Sequence, residues 1–161
     1  MPTRAAANCR LLLPLACQAQ GHLLAALSAL AARTGLPAGE RWLAVRGYGY
    51  MAGNAVPVCW AEYYIHRRFA AVARLLPRHA GPIFPLLEAR FGQRVIEVHQ
   101  EIGATLVTPV LADTLKVRVG SAALEVRRAY KVTNGDIAQV TISTHPAALF
   151  RHAMTMRRVR G

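Results

Sequence analysis

The chain has 161 residues, 53% of them hydrophobic, which is enough for one domain with a real core. No apolar run of about eighteen residues appears, arguing against a membrane-spanning helix. Cys9, Cys17 and Cys59 form no CxxC pair, which argues against structural zinc and a disulfide framework and fits a reducing cytoplasm. Twenty Lys and Arg against eight acids give a formal charge of +12. Only Lys116 and Lys131 are lysines, and the arginines are scattered apart from "HRRF", "VRR" and "MRRVRG". Without zinc-finger spacing, an RNP-like strand or a helix–turn–helix, this charge suits an anionic ligand as well as a nucleic acid.

Residues 1–20 show no clear period and read as a poorly ordered arm. Its "CRLLLPLACQAQGH" mimics a secretory signal, but the run is short and Pro14 interrupts it. "HLLAALSALAARTG", His22 to Gly35, predicts a helix, with Leu23, Leu24, Leu27, Leu30 and Ala31 on one stripe and Gly35 at the C-cap. "RWLAVRGYGY" and "VPVCWAEYYI" predict strands around "MAGNA", whose Gly53-Asn54 is a plausible hairpin loop.

"RFAAVARLL" and "PIFPLLEARFG" predict short helices, the second with prolines near its first turn. "RVIEVHQEIGATLV" alternates as a long strand, and "PVLADTLKV" is a brief helix. "ALEVRRAYKV" and "IAQVTIST" flank Asn134-Gly135, a strong hairpin signal. "LFRHAMTMRRV" predicts a last strand. The fold class is α+β, an antiparallel sheet flanked by helices.

Familiar catalytic signatures are missing: there is no P-loop, GxGxxG, HExxH or GxSxG, and no acid pair spaced for general acid–base work. His99 and Glu101 share a strand face and could ligate a metal, but a solvated alternating strand explains them more simply. No cofactor and no metal are called for.

The order of segments from about residue 25 to 158 resembles the UTRA domain, the effector-binding part of HutC-type GntR-family transcription regulators. "LLEARFG" before "VHQEIGA", "ADTLKVRVGSAAL" before "RRAY", the NG turn and "QVTISTHPAALFRHAMTMRR" carry the likeness. It implies residues 21–161 as one effector-binding domain of chorismate lyase-like fold, without a DNA-binding winged helix–turn–helix, and a homodimer paired through the sheet. DNA would be reached only through a separate or missing helix–turn–helix domain.

In that family the effector lies in a cleft between the sheet and a neighbouring helix or loop, which implies Arg46, Tyr48, Glu62, Tyr64, Gln139, Thr141, Ser143 and His145 near the pocket. The residues themselves point the same way. Arg46 can clamp a carboxylate or phosphate. Glu62 can accept from ligand hydroxyls or orient Arg46. Tyr64 offers a ring wall, and the polar side of "QVTISTHP" offers neutral donors and acceptors. Two departures from the family, Arg46-Gly47-Tyr48 for an Arg-x-Arg and Gln139 where glutamate is common, forbid carrying over any relative's effector. The expected ligand is a small polar anion of the carboxylate, amino-acid or sugar-phosphate class. A chorismate lyase-like enzyme and a stand-alone dimerising remnant are the alternatives.

Overall fold

A computed structural model describes residues 23–25, 28–36, 39–51, 54–76, 79 and 82–155, with side chains from residue 31 onward. The arm expected over residues 1–20 lies outside the described residues. Six strands form one antiparallel sheet in the order β1-β2-β3-β6-β5-β4. They are β1 (Leu23–Ala25), β2 (Arg41–Gly49), β3 (Cys59–His66), β4 (Val95–Leu106), β5 (Ala122–Val132) and β6 (Ile137–Pro146). Between them lie α1 (Ser28–Thr34), a 3₁₀ segment (Arg67–Arg74), α2 (Phe84–Phe91) and α3 (Pro109–Leu115).

The turns form where the local chemistry asks for them. Gly135 takes a left-handed φ of 89°, and the Asn134 side chain accepts from the Asp136 N–H at 3.1 Å, which closes the β5–β6 hairpin. Gly92 ends α2 with φ 63° and donates to the Glu88 carbonyl. In the 3₁₀ segment the buried residues are Phe69 and Val72, three apart. That spacing eclipses in a 3₁₀ helix and keeps both on the sheet, so the expected helix is wound tighter.

Two other expectations are corrected. The helix predicted from His22 is split: Leu23–Ala25 pairs with β2 as a strand and the helix starts at Ser28. A run apolar at nearly every position fits a buried strand and a helix alike. The last strand predicted from Leu149 does not form over residues 150–155, and residues 156–161 lie outside the described part. Instead the chain turns after Pro146, and the Phe150 ring stacks on His145 with centroids 4.1 Å apart.

Both sides of the central strands are covered. On one face the 3₁₀ segment and α2 bury Leu43, Val45, Ala61, Tyr63 and Ile65 beneath Phe69, Val72 and Leu87. On the other, Leu36 after α1 packs on Trp42, Ala44, Tyr64, Val140 and Ile142, and α3 covers Ala123 farther along. We call these the α2 face and the α1 face. Edge strand β4 is exposed almost throughout.

Candidate functional site

Strand register decides which of the eight expected site residues can meet. Across β2, β3 and β6 the α2 face carries the rows Gly47–Ala61–Ser143 and Val45–Tyr63–Thr141, and the β3–β6 pair Ile65–Gln139. The α1 face carries Arg46–Glu62–Ile142, Tyr48–Trp60–Thr144 and Ala44–Tyr64–Val140. Gln139, Thr141, Ser143 and His145 therefore lie together on one side of the sheet. Arg46, Tyr48, Glu62 and Tyr64 lie together on the other. A single cleft around all eight does not form, because successive side chains of a strand point to opposite faces.

The β6 row is buried, which removes the simplest explanation of its polarity. Gln139 is 1% exposed and His145 6%, with Thr141 and Ser143 under a tenth. The Ser143 hydroxyl donates to the Val126 carbonyl at 3.3 Å, and the His145 Nε2 lies 3.0 Å from the Ser143 Oγ. Burial, helped by the Arg128 charge, pushes the His145 pKa down to about 4, so the ring is neutral near pH 7. Gln139 Oε1 is buried without a hydrogen-bond partner among the described residues, a costly state for an amide oxygen. Gly47 and Ala61, in line with Ser143, hold the side-chain volume in that row to a minimum. Arg128, opposite Thr141 on β5, brings a cation to this face and donates to the Gln100 Oε1 at 2.7 Å.

On the α1 face Glu62 is the centre of an ionic cluster. Its Oε1 receives Arg46 Nε at 3.4 Å, and its Oε2 lies 2.7 Å from a nitrogen of Arg33, the next-to-last residue of α1. The same Arg33 nitrogen is 3.8 Å from Glu125 on β5. Tyr64 is buried beside this cluster, and burial followed by the Glu62 charge raises its phenol pKa. Tyr48 reaches α3, with its hydroxyl 3.4 Å from the Thr114 Oγ1, and its ring packs on Trp60 at 4.8 Å. A cavity of about 270 Å³ opens here between the sheet, the end of β4, α3 and Arg33. His99 and Glu101 are exposed on β4, and no group of three metal-ligating side chains occurs among the described residues.

The family model of the UTRA domain matches residues 22–151, most of the chain. The chain belongs to the UTRA domain family. Among solved structures, the ligand-binding domain of a putative GntR-family regulator from Bordetella bronchiseptica is 20% identical with a TM-score of 0.71, over 84% of each chain. The effector domain of PhnF from Mycobacterium smegmatis is 15% identical, TM-score 0.72, over 85% of this chain and 83% of that one. The C-terminal domain of the histidine utilization repressor from Pseudomonas syringae pv. tomato is 16% identical, TM-score 0.64, over 84% of this chain and 92% of that one. At these identities the likeness is one of fold. No curated protein matches the sequence significantly.

This UTRA domain thus has two polar clusters on opposite sides of its sheet. Sequence reasoning found members of both but missed Arg128, Arg33, Glu125, Trp60 and Thr144. "EVRR" held a usable signal, because alternation on β5 sends Arg127 and Arg128 to opposite faces. The role of Arg33 had none, since it depends on α1 docking against strands far along the chain.

Proposed function

We propose that this UTRA domain senses a small polar anion and that the effector sits on the α2 face, against the β6 row. One observation carries the reading: four consecutive inward positions of a central strand are polar and buried, and the innermost has a side-chain carbonyl oxygen without a partner among the described residues. A strand whose only task is to fill a core carries apolar residues there. A ligand N–H or O–H donated to Gln139 Oε1 removes that penalty. Neutral His145 and the Ser143 hydroxyl add directional contacts, and Arg128 supplies the charge that attracts a carboxylate or phosphate. The role is binding, with no catalytic step.

Transmission runs through a homodimer. Strand β4 supports this, since it is an edge of the described sheet, and Val98, Ile102 and Leu106 on its α2-face side are 47%, 38% and 63% exposed. Such an edge invites pairing with a second copy. Effector binding beside β5 and β6 shifts the relative placement of two copies, and with it DNA-binding modules joined to them, in the bacterial cytoplasm where such regulators work.

A thermal-shift panel of small carboxylates, amino acids, imidazole acids and sugar phosphates tests the reading. A ligand at a hundred times its dissociation constant adds about 2.7 kcal/mol, a rise of a few degrees. The reading expects a hit that disappears in Gln139→Met and weakens in Arg128→Gln. A flat panel, with chorismate also inert, points to a dimerising role without a ligand.

A further inference from the structure

The helical layer over the α2 face carries charge that the effector scheme does not use. Between Arg67 and Arg94 the sequence holds six arginines and a single acid, Glu88. Arginines that meet the sheet's own faces are partnered: Arg33 and Arg46 with Glu62, Arg127 with Glu101, and Arg128 with Gln100. Those on the outside of the layer are not. Arg67, Arg74, Arg90 and Arg94 are exposed and make no side-chain hydrogen bond or ion pair among the described residues. Glu88 is engaged elsewhere, its Oε1 accepting from the Val95 N–H at 2.8 Å.

The fold gathers these cations on one surface. Residues three apart eclipse in a 3₁₀ segment, so Phe69 and Val72 face the sheet while Arg68, Ala71 and Arg74 form an outward ridge about 12 Å long. The Phe69 ring packs on Phe91 with centroids 5.2 Å apart, which sets Arg90, at the end of α2, beside the start of that ridge. The Arg94 N–H donates to Thr133 Oγ1 in the β5–β6 turn at 3.0 Å. Asp136, at the end of the same turn, meets Arg68 Nη1 at 2.7 Å and also accepts from the Asn134 amide. The turn thus holds Arg68 and Arg94 close together, and its one carboxylate is already shared.

We propose that this arginine layer is a docking surface for the phosphate backbone of a nucleic acid, held without reading its sequence. Guanidinium forks meet phosphate oxygens bidentately. A ridge of about 12 Å runs past about three phosphates of one strand, which follow one another every 3.4 Å or so along the axis. Contacts of this kind add affinity and fix position, but they do not distinguish bases. A bilayer suits the surface less well. Leu75 aside, the exposed residues between these arginines include Ala71 and Ala89, which offer no large apolar group for insertion. The surface lies outside the layer that covers the sheet, so it stands whether or not an anion binds the β6 row.

The test is fluorescence anisotropy of a labelled random-sequence DNA duplex titrated with the whole chain at several salt concentrations. Wild type binds, and the logarithm of its affinity falls linearly with the logarithm of salt. Combining Arg74→Glu with Arg90→Glu weakens binding and makes that slope shallower by about 2, about one for each lost phosphate contact. Combining Arg118→Glu with Arg151→Glu makes the same change of charge at exposed positions before β5 and after β6, at the opposite end of the sheet. That variant keeps the wild-type slope, and melting temperatures near wild type show that both variants are folded. Equal loss in the two variants overturns the proposal, because net charge alone would then account for binding. Absence of duplex binding at low salt overturns it too. So does sedimentation with phosphatidylserine vesicles that is lost in the first variant while the duplex is ignored, since the partner would then be a membrane surface.

Discussion

His145 is neutral because folding buries it beside Arg128, and that has a measurable consequence. Its folded pKa, about 4, lies below the ordinary 6.5. As pH falls, the unfolded chain takes up the proton first. The stability contribution is intact above about pH 6.5 and is lost progressively toward pH 4, with about 2 kcal/mol gone by pH 5. Urea denaturation at pH 7 and pH 5 should show that loss in wild type, and His145→Asn should shrink it. Gln139 gives the opposite kind of prediction. Its buried Oε1 has no partner among the described residues, so Gln139→Met should raise the stability of the ligand-free domain by about 1 kcal/mol while removing effector binding. Equal or lower stability would mean that the oxygen is satisfied in solution. At Gly35 the backbone has φ +68°, and an added Cβ would lie 2.3 Å from an Arg127 nitrogen. Gly35→Ala should cost about 1–2 kcal/mol in the same assay.

Among the elements, α1 has described polar ties at its C-terminal end. Arg127 Nε and Nη2 both donate to the Thr34 carbonyl, at 2.9 and 2.5 Å, and the same guanidinium pairs with Glu101 on β4. Arg127 thus ties the C-terminal end of a seven-residue helix to β5 and β4. Arg127→Gln should speed amide exchange in α1 by about tenfold, while β3 and β6 keep their protection. Equal protection of α1 in both proteins would show that Arg127 does not anchor it.

The elements also mark how far the sequence could be read. Alternation in "QVTISTHP" gave a strand with a polar and an apolar side, and Asn134-Gly135 gave its hairpin. Both formed as expected. The phase between strands was not legible. Arg46 and Glu62 stand side by side as expected, but whether Ser143 shares their face depends on the β3–β6 register, which is set by long-range pairing. With helices on both sides of β6, its apolar and polar faces are both buried. Hydrophobicity therefore gave no sign of which face met which neighbour.

For the molecule as a whole, the exposed stripe on β4 bears on assembly. Val98, Ile102 and Leu106 lie on one side of the strand, and Glu97, His99 and Glu101 on the other. A second copy paired there covers the apolar side. If two copies pair there, light scattering should show a dimer for wild type and a monomer for Ile102→Glu, which puts like charges on both sides of a two-fold contact. An unchanged mass would place the interface elsewhere.

The account as a whole rests on an anion meeting the β6 row. Its most direct test is a two-dimensional ¹⁵N–¹H spectrum of the labelled domain, titrated with the strongest anionic hit of the thermal-shift panel. The account predicts the largest shifts at the Gln139 side-chain amide and at the backbone amides of Thr141, Ser143 and Ala129, with Arg46 and Glu62 little moved. Shifts confined to Arg46, Glu62 and Trp60 would contradict it and place the effector on the other side of the sheet.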